Sequence, residues 1–156
     1  MFVQEGAVEG AVGYQLKRAQ HRLRLTMDAQ LRPLGLTTPQ YAVLSALEVD
    51  AGLSGADLAR RAFVTPQTMQ GLVVSLERAG LLTRQPHATH GRILRTFLTP
   101  AGARALARAH DVVADIHCTM LAPLSDTSRH QLVSLLRICA DQLADAEVTE
   151  QAHDQR

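Results

Sequence analysis

Apolar side chains recur at helical spacing along most of this chain. Val12, Leu16, Ala19, Leu23 and Met27 follow one another at intervals of three or four. The same rhythm carries Met69, Leu72, Val73 and Leu76, then Leu106, Val113, Ile116 and Met120, then Leu132, Leu135, Leu136, Cys139 and Leu143. Each set marks one face of an amphipathic helix. Start and stop signals divide the pattern. Pro33 and Gly35 end the first helix, and Thr38-Pro39 offers an N-cap followed by proline at the first helical position. Thr65-Pro66 and Thr99-Pro100 repeat that pair. Ser54 with Asp57 resembles a capping box, Ser125 can cap the last helix, and Gly80 is a C-terminal stop. Six helices are predicted, near 7–31, 39–49, 55–62, 66–78, 100–121 and 126–145, with 146–156 a polar, flexible tail.

Between Gly80 and Thr99 the period changes. Leu81–Gln85 and Arg92–Leu98 are β-prone runs, separated by the turn-forming Pro86-His87-Ala88-Thr89-His90-Gly91. The fold class predicted is therefore mainly α with a small β-hairpin. The helices at 55–62 and 66–78, joined through Phe63-Val64-Thr65, form a helix-turn-helix, and the hairpin following them is its wing. Leu58, Ala59 and Phe63 are expected to pack on the apolar stripe of the second helix.

Composition narrows the function. The chain has 156 residues, enough for one domain of ordinary size. Apolar residues make up 46% and charged residues 20%, with no apolar run of spanning length and no secretory leader pattern at the start. Two cysteines with no metal-ligand spacing argue against a disulfide framework or a zinc site. A cytoplasmic protein without cofactor or metal is expected. Net charge is only +1, but its distribution is uneven. Residues 60–104 hold 7 arginines against one acid, Glu77, while 1–59 hold 5 bases and 6 acids and 105–156 hold 4 and 8. A basic middle suits an anionic partner.

Together these features point to duplex DNA. The polar face of helix 66–78 begins with Gln67, Thr68 and Gln70, then Gly71, Val74 and Ser75. Glutamine can pair bidentately with adenine, and threonine offers a hydroxyl and a methyl to base edges. The hairpin supplies Arg84, Arg92 and Arg95, suited to phosphate contact or the minor groove. Thr65 stands at the head of the reading helix.

From Leu36 to Gly102 the chain resembles the MarR family of winged-helix transcription regulators. The resemblance rests on Leu36-Thr37-Thr38-Pro39-Gln40-Tyr41-Ala42-Val43-Leu44, on Leu58-Ala59, on Leu76-Glu77-Arg78-Ala79-Gly80-Leu81-Leu82-Thr83-Arg84, and on Leu98-Thr99-Pro100-Ala101-Gly102. It implies a DNA-binding lobe at 36–99 and dimerisation helices at 7–31 and 100–145, within a single domain. It also implies a homodimer on a pseudo-palindromic site, most often a repressor, released by small phenolic or other anionic ligands. By position, Gln67, Thr68 and Gln70 face bases and Arg92 is the wing-tip arginine. Two departures stand out. His90 replaces an aspartate common two residues before that arginine, and Gly71 and Ser75 replace basic side chains. The phosphate grip then shifts to the wing and to Arg60, Arg61 and Arg78.

A dimer also follows from helix length. About 20 residues span roughly 30 Å, more than one winged lobe covers. Tyr14, His21, Arg22 and His117 are candidates for an anionic-ligand pocket. His110 and His117 share a helix face but do not complete a metal site. Cys139 on its apolar stripe is expected in a core, and Cys118 is the candidate thiol for a redox-sensing alternative. Gly52-Leu53-Ser54-Gly55 only partly matches a nucleophile elbow, and no other catalytic motif occurs, so an enzyme is not expected. A winged-helix interaction module without DNA binding is the remaining alternative.

Overall fold

The structure is a computed structural model describing residues 8–88 and 92–154, with side chains described in 11–88 and 92–144. In chain order it contains α1 (Val8–Leu31), a 3-10 turn (Arg32–Leu34), α2 (Thr38–Val49), β1 (Leu53–Ser54) and α3 (Gly55–Arg61). There follow α4 (Pro66–Arg78), β2 (Leu82–Pro86), β3 (Leu94–Leu98), α5 (Pro100–Leu121) and α6 (Asp126–Asp154). The six helices and the hairpin lie where the sequence pattern places them. α6 continues to Asp154, past the stop expected at 145. The hairpin tip with His90 lies outside the described residues.

One strand was not legible in the sequence. β1 pairs antiparallel with β3, setting Leu53 opposite Thr96 and Ser54 opposite Arg95. The sheet order is β1-β3-β2, with Leu82 opposite Leu98 and Arg84 opposite Thr96 across the hairpin. A strand of two residues shows no alternation, so only its partner reveals it.

Local signals explain the helix ends, with one correction. Thr37, not Thr38, is the N-cap of α2. Its hydroxyl accepts from the Gln40 amide while the Gln40 side chain accepts from the Thr37 amide, a complete capping box. Thr38 instead donates its backbone N–H (3.0 Å) and its hydroxyl (2.6 Å) to Asp28 of α1. That carboxylate thus sits at the positive end of α2, and the Thr38 hydroxyl holds its pKa below the ordinary aspartate value. Ser54 and Asp57 cap α3, Thr65 caps α4, and Ser125 caps α6, as the sequence suggests.

The chain divides into two compact units, 1–116 and 117–156. In the first, Met27 and Leu31 of α1, Val43, Leu44 and Leu47 of α2, Leu58 of α3 and Met69, Val73 and Leu76 of α4 share one core. Leu106, Ala109, Val113 and Ile116 of α5 belong to the same cluster. Phe63 does not. It is 95% exposed, and Val64 takes the expected place beside the core. The turn needs a left-handed residue there, with φ of +53°, which turns the ring outward. Gly102 marks a close approach in the same unit. A Cβ on it would stand 1.9 Å from the Leu81 carbonyl oxygen, so only glycine lets α5 leave β3 at this point.

In the second unit Arg129 donates to the Leu121 carbonyl at 3.2 Å, closing the α6 start onto the end of α5. Leu132, Leu135, Leu136 and Leu143 are exposed along α6, and Cys139, expected in a core, is exposed with them. The apolar stripe on which it lies is bare in the single chain.

Candidate nucleic-acid interface

α3 and α4 are set by their shared packing, and α4 turns one face outward. Met69, Val73 and Leu76 are buried, which by helical geometry puts Gln67, Gly71, Val74 and Arg78 on the opposite line. A Cβ on Gly71 would meet nothing within 4 Å, so the line is open there, while Val74 further along it is half-buried. Gln70 lies to one side of it and lines a cleft of about 430 Å³ beside the wing, together with Pro66, Arg84, Arg92 and Ile93. Ser75 lies to the other side and accepts from Gln40 of α2 at 3.2 Å. The predicted readers therefore spread over nearly half the helix circumference. Gln67 stands in the middle and Ser75 is turned toward α2.

The N-terminus of α4 is ordered from within. The Thr65 hydroxyl accepts from the Thr68 amide at 3.2 Å and lies 2.9 Å from the Thr68 hydroxyl. Thr65 is thus first a cap, and its bond fixes the direction in which the Thr68 methyl and hydroxyl are offered. The positive end of the helix dipole lies here, where an anionic partner is favoured.

The basic residues divide into two kinds. Arg84 donates its Nε to Glu77 at 3.0 Å and is only 21% exposed, tying β2 to the end of α4. That guanidinium holds the Glu77 carboxyl below its ordinary pKa. Arg95 donates its Nε to the Gly52 carbonyl at 2.8 Å. Gly52 has φ of +80° and lies against the Phe97 ring, where a Cβ would come within 3.2 Å. These two arginines hold the wing in place, Arg84 through an acid; Arg95 stays exposed, and its bond to a carbonyl leaves its charge unneutralised. Arg60 pairs with Asp57, and Arg61 pairs with Asp50 at 2.8 Å, both on the surface. Among the described residues neither Arg78 nor Arg92 is held by an acid, and both are exposed. The sequence flagged Glu77 as the one acid in the basic stretch, and that isolation was the available sign of its partner.

A family model described as MarR family matches residues 34–93. The HTH-type transcriptional repressor Rv2887 of Mycobacterium tuberculosis is 38% identical over 130 residues, covering 83% of this chain and 94% of that protein. The chain belongs to the MarR family. It is a DNA-binding transcriptional regulator with the winged-helix fold of that family. The repressor CouR, solved on a 23-mer DNA duplex, is similar with a TM-score of 0.79 and 28% identity, covering 90% of this chain and 99% of that one. The Rv2887 structure with salicylic acid is similar at 0.70 and 35%, covering 88% and 99%.

Tyr14, His21 and Arg22 lie exposed on α1, and His117 is exposed on α5. His110, weighed as a metal ligand, instead bridges two helices of the first unit. Its Nδ1 lies 3.0 Å from the Tyr41 hydroxyl and its Nε2 2.8 Å from Glu48, with the rings edge to face at 5.5 Å. Among the described residues no cluster of three His, Cys, Asp or Glu could hold a metal, and no helix is long and apolar enough to cross a membrane.

Proposed function

We propose that this MarR-family chain acts in the cytoplasm as a dimeric repressor without catalytic activity. In this reading, one α4 from each subunit enters successive major grooves of a pseudo-palindromic operator. The observation that carries it is the outward line Gln67–Gly71–Val74–Arg78 on α4, with the Thr65–Thr68 cap at its head. Gln67, Thr68 and Gln70 read bases. Arg60, Arg61, Arg78 and Arg92 bind phosphates or the minor groove. Thr65, Ser75, Arg84 and Arg95 position the helix and wing. The operator-bound form is released by a small anionic or phenolic ligand, for which Tyr14, His21 and Arg22 on α1 and, separately, His117 on α5 are the residues to test. Support for such a ligand is that the similar Rv2887 was crystallised with salicylic acid.

Fluorescence anisotropy tests the reading. The purified protein is titrated against duplexes from its own promoter region and a scrambled control, at low and moderate salt. The expected result is selective binding, two subunits per site, with affinity falling steeply as salt rises. Absence of binding at low salt overturns it. Salicylate added to the complex is expected to lower the anisotropy, and an unchanged signal at millimolar ligand removes the ligand arm alone.

A further inference from the structure

We infer that Phe63 is a DNA-contacting residue: its ring packs on the sugar edge or a thymine methyl of the groove that α4 enters. This rests on the DNA-binding reading above. The ring adds nothing to the packed core. Phe63 is 95% exposed, more than any other exposed large hydrophobic residue among those described. Its neighbours Ala62 and Val64 supply the turn's contact with the core. The turn itself is made by the backbone, with the Phe63 amide donating to the Arg60 carbonyl and the Val64 amide to the Ala59 carbonyl.

The backbone makes the choice of residue more pointed. Among the described residues Phe63 alone is a non-glycine with positive φ, at +53°; the other three such positions are Gly35, Gly52 and Gly80. A bulky side chain in the left-handed region is strained, and a bare ring in water is unfavourable. Glycine would make this turn without either penalty. A residue that costs stability twice and returns no packing has its use outside the chain.

Its location favours DNA over a protein partner. Phe63 stands between Arg60 and Arg61 at the end of α3 and the N-cap Thr65 of α4. Two residues of chain reach at most about 7 Å, so the ring is beside the helix end that faces the duplex. A protein-docking site needs a contiguous apolar patch, and here Ala62 and Val64 pack against the core while the exposed side chains nearby are Arg60, Arg61 and Thr65. An exposed ring next to a reading helix suits the mixed surface of a groove edge, with a sugar or methyl for the phenyl, while the neighbouring Arg60 and Arg61 are surface ion pairs with Asp57 and Asp50.

The experiment compares Phe63→Gly and Phe63→Tyr with the unaltered protein on the specific duplex across a salt series. Phe63→Gly relieves the backbone strain, so its melting temperature is expected to equal or exceed that of the parent. Its affinity is expected to fall about tenfold. Because the lost contact carries no charge, the slope of log affinity against log salt stays the same. Phe63→Tyr, which keeps the ring, is expected to bind within about twofold of the parent. Unchanged affinity in Phe63→Gly overturns the inference while leaving the regulator reading intact. A loss accompanied by lower melting temperature or a shallower salt slope also overturns it, since the turn or the phosphate contacts then carry the effect. If the unaltered protein binds no DNA, the regulator reading fails and this inference fails with it.

Discussion

Gln67, Gln70 and Arg92 are all exposed around α4 and the wing, yet they are expected to fail differently when removed. On the proposed reading Gln67→Ala or Gln70→Ala removes a base reader, so discrimination against a changed base pair should shrink by roughly 1–3 kcal/mol. Arg92→Ala should weaken binding to every sequence and reduce the salt slope by about one. Anisotropy on an operator, a single-base variant and a scrambled duplex separates the two cases. Acid stability is another matter for single residues. Asp28, Asp57 and Glu77 each have a pKa below the ordinary value, through hydrogen bonds from Thr38, Ser54 and Arg84 respectively. Groups depressed on folding add stability that is complete above the unfolded pKa, about 4, and is lost as pH falls through the folded value. Stability should therefore drop below about pH 4, and Asp57→Asn should flatten that acid limb in a series of denaturant melts. Residue types announced the caps of α3, α4 and α6. Which arginines brace the wing was not legible, because the bonds of Arg84 to Glu77 and of Arg95 to the Gly52 carbonyl depend on strands that meet only in three dimensions.

Helices and strands of the lobe are joined at points where nothing larger fits. Gly102→Ala would drive a methyl into the Leu81 carbonyl, and neither the helix start nor the strand start can move without losing the Thr99 contacts. The Thr99 hydroxyl donates to the Gly80 carbonyl at 2.6 Å and accepts from the Gly102 amide at 3.0 Å. This variant should lose about 1–3 kcal/mol or more, seen as a lower midpoint in urea at unchanged slope. Gly71→Ala should do the opposite, gaining up to about 1 kcal/mol, because its helical position is open and only backbone entropy changes. Helix positions were readable from period and punctuation. The cap of α2 was misplaced by one residue because Thr37 and Thr38 are both good N-caps, and Asp28, ten residues away, takes the second. β1 escaped for the opposite reason: two residues carry too little pattern.

At the level of the whole molecule, the unburied apolar stripes are the largest open question for water. Val12 and Leu16 on α1, Met120 on α5 and Leu132, Leu136 and Leu143 on α6 are exposed in the single chain. Burying them against a second copy is the simplest remedy and supplies the two reading heads of a pseudo-palindrome. Leu136→Arg should then shift the protein toward monomer in sedimentation velocity and weaken operator binding sharply, with α4 untouched. The melting temperature of the unaltered protein should rise with concentration, as linkage to dimerisation requires. The sequence by itself determined the six helices, the hairpin, the face of α4 that is buried and the basic centre of the chain. These follow from period, capping chemistry and charge, which act between near neighbours. Only the tertiary structure decided that Phe63 points outward, that Arg84 and Arg95 brace the wing, and that His110 joins Tyr41 and Glu48. Those outcomes turn on hydrogen bonds and contacts between residues distant in the chain, or on a turn's backbone angle, and neither leaves a period to read.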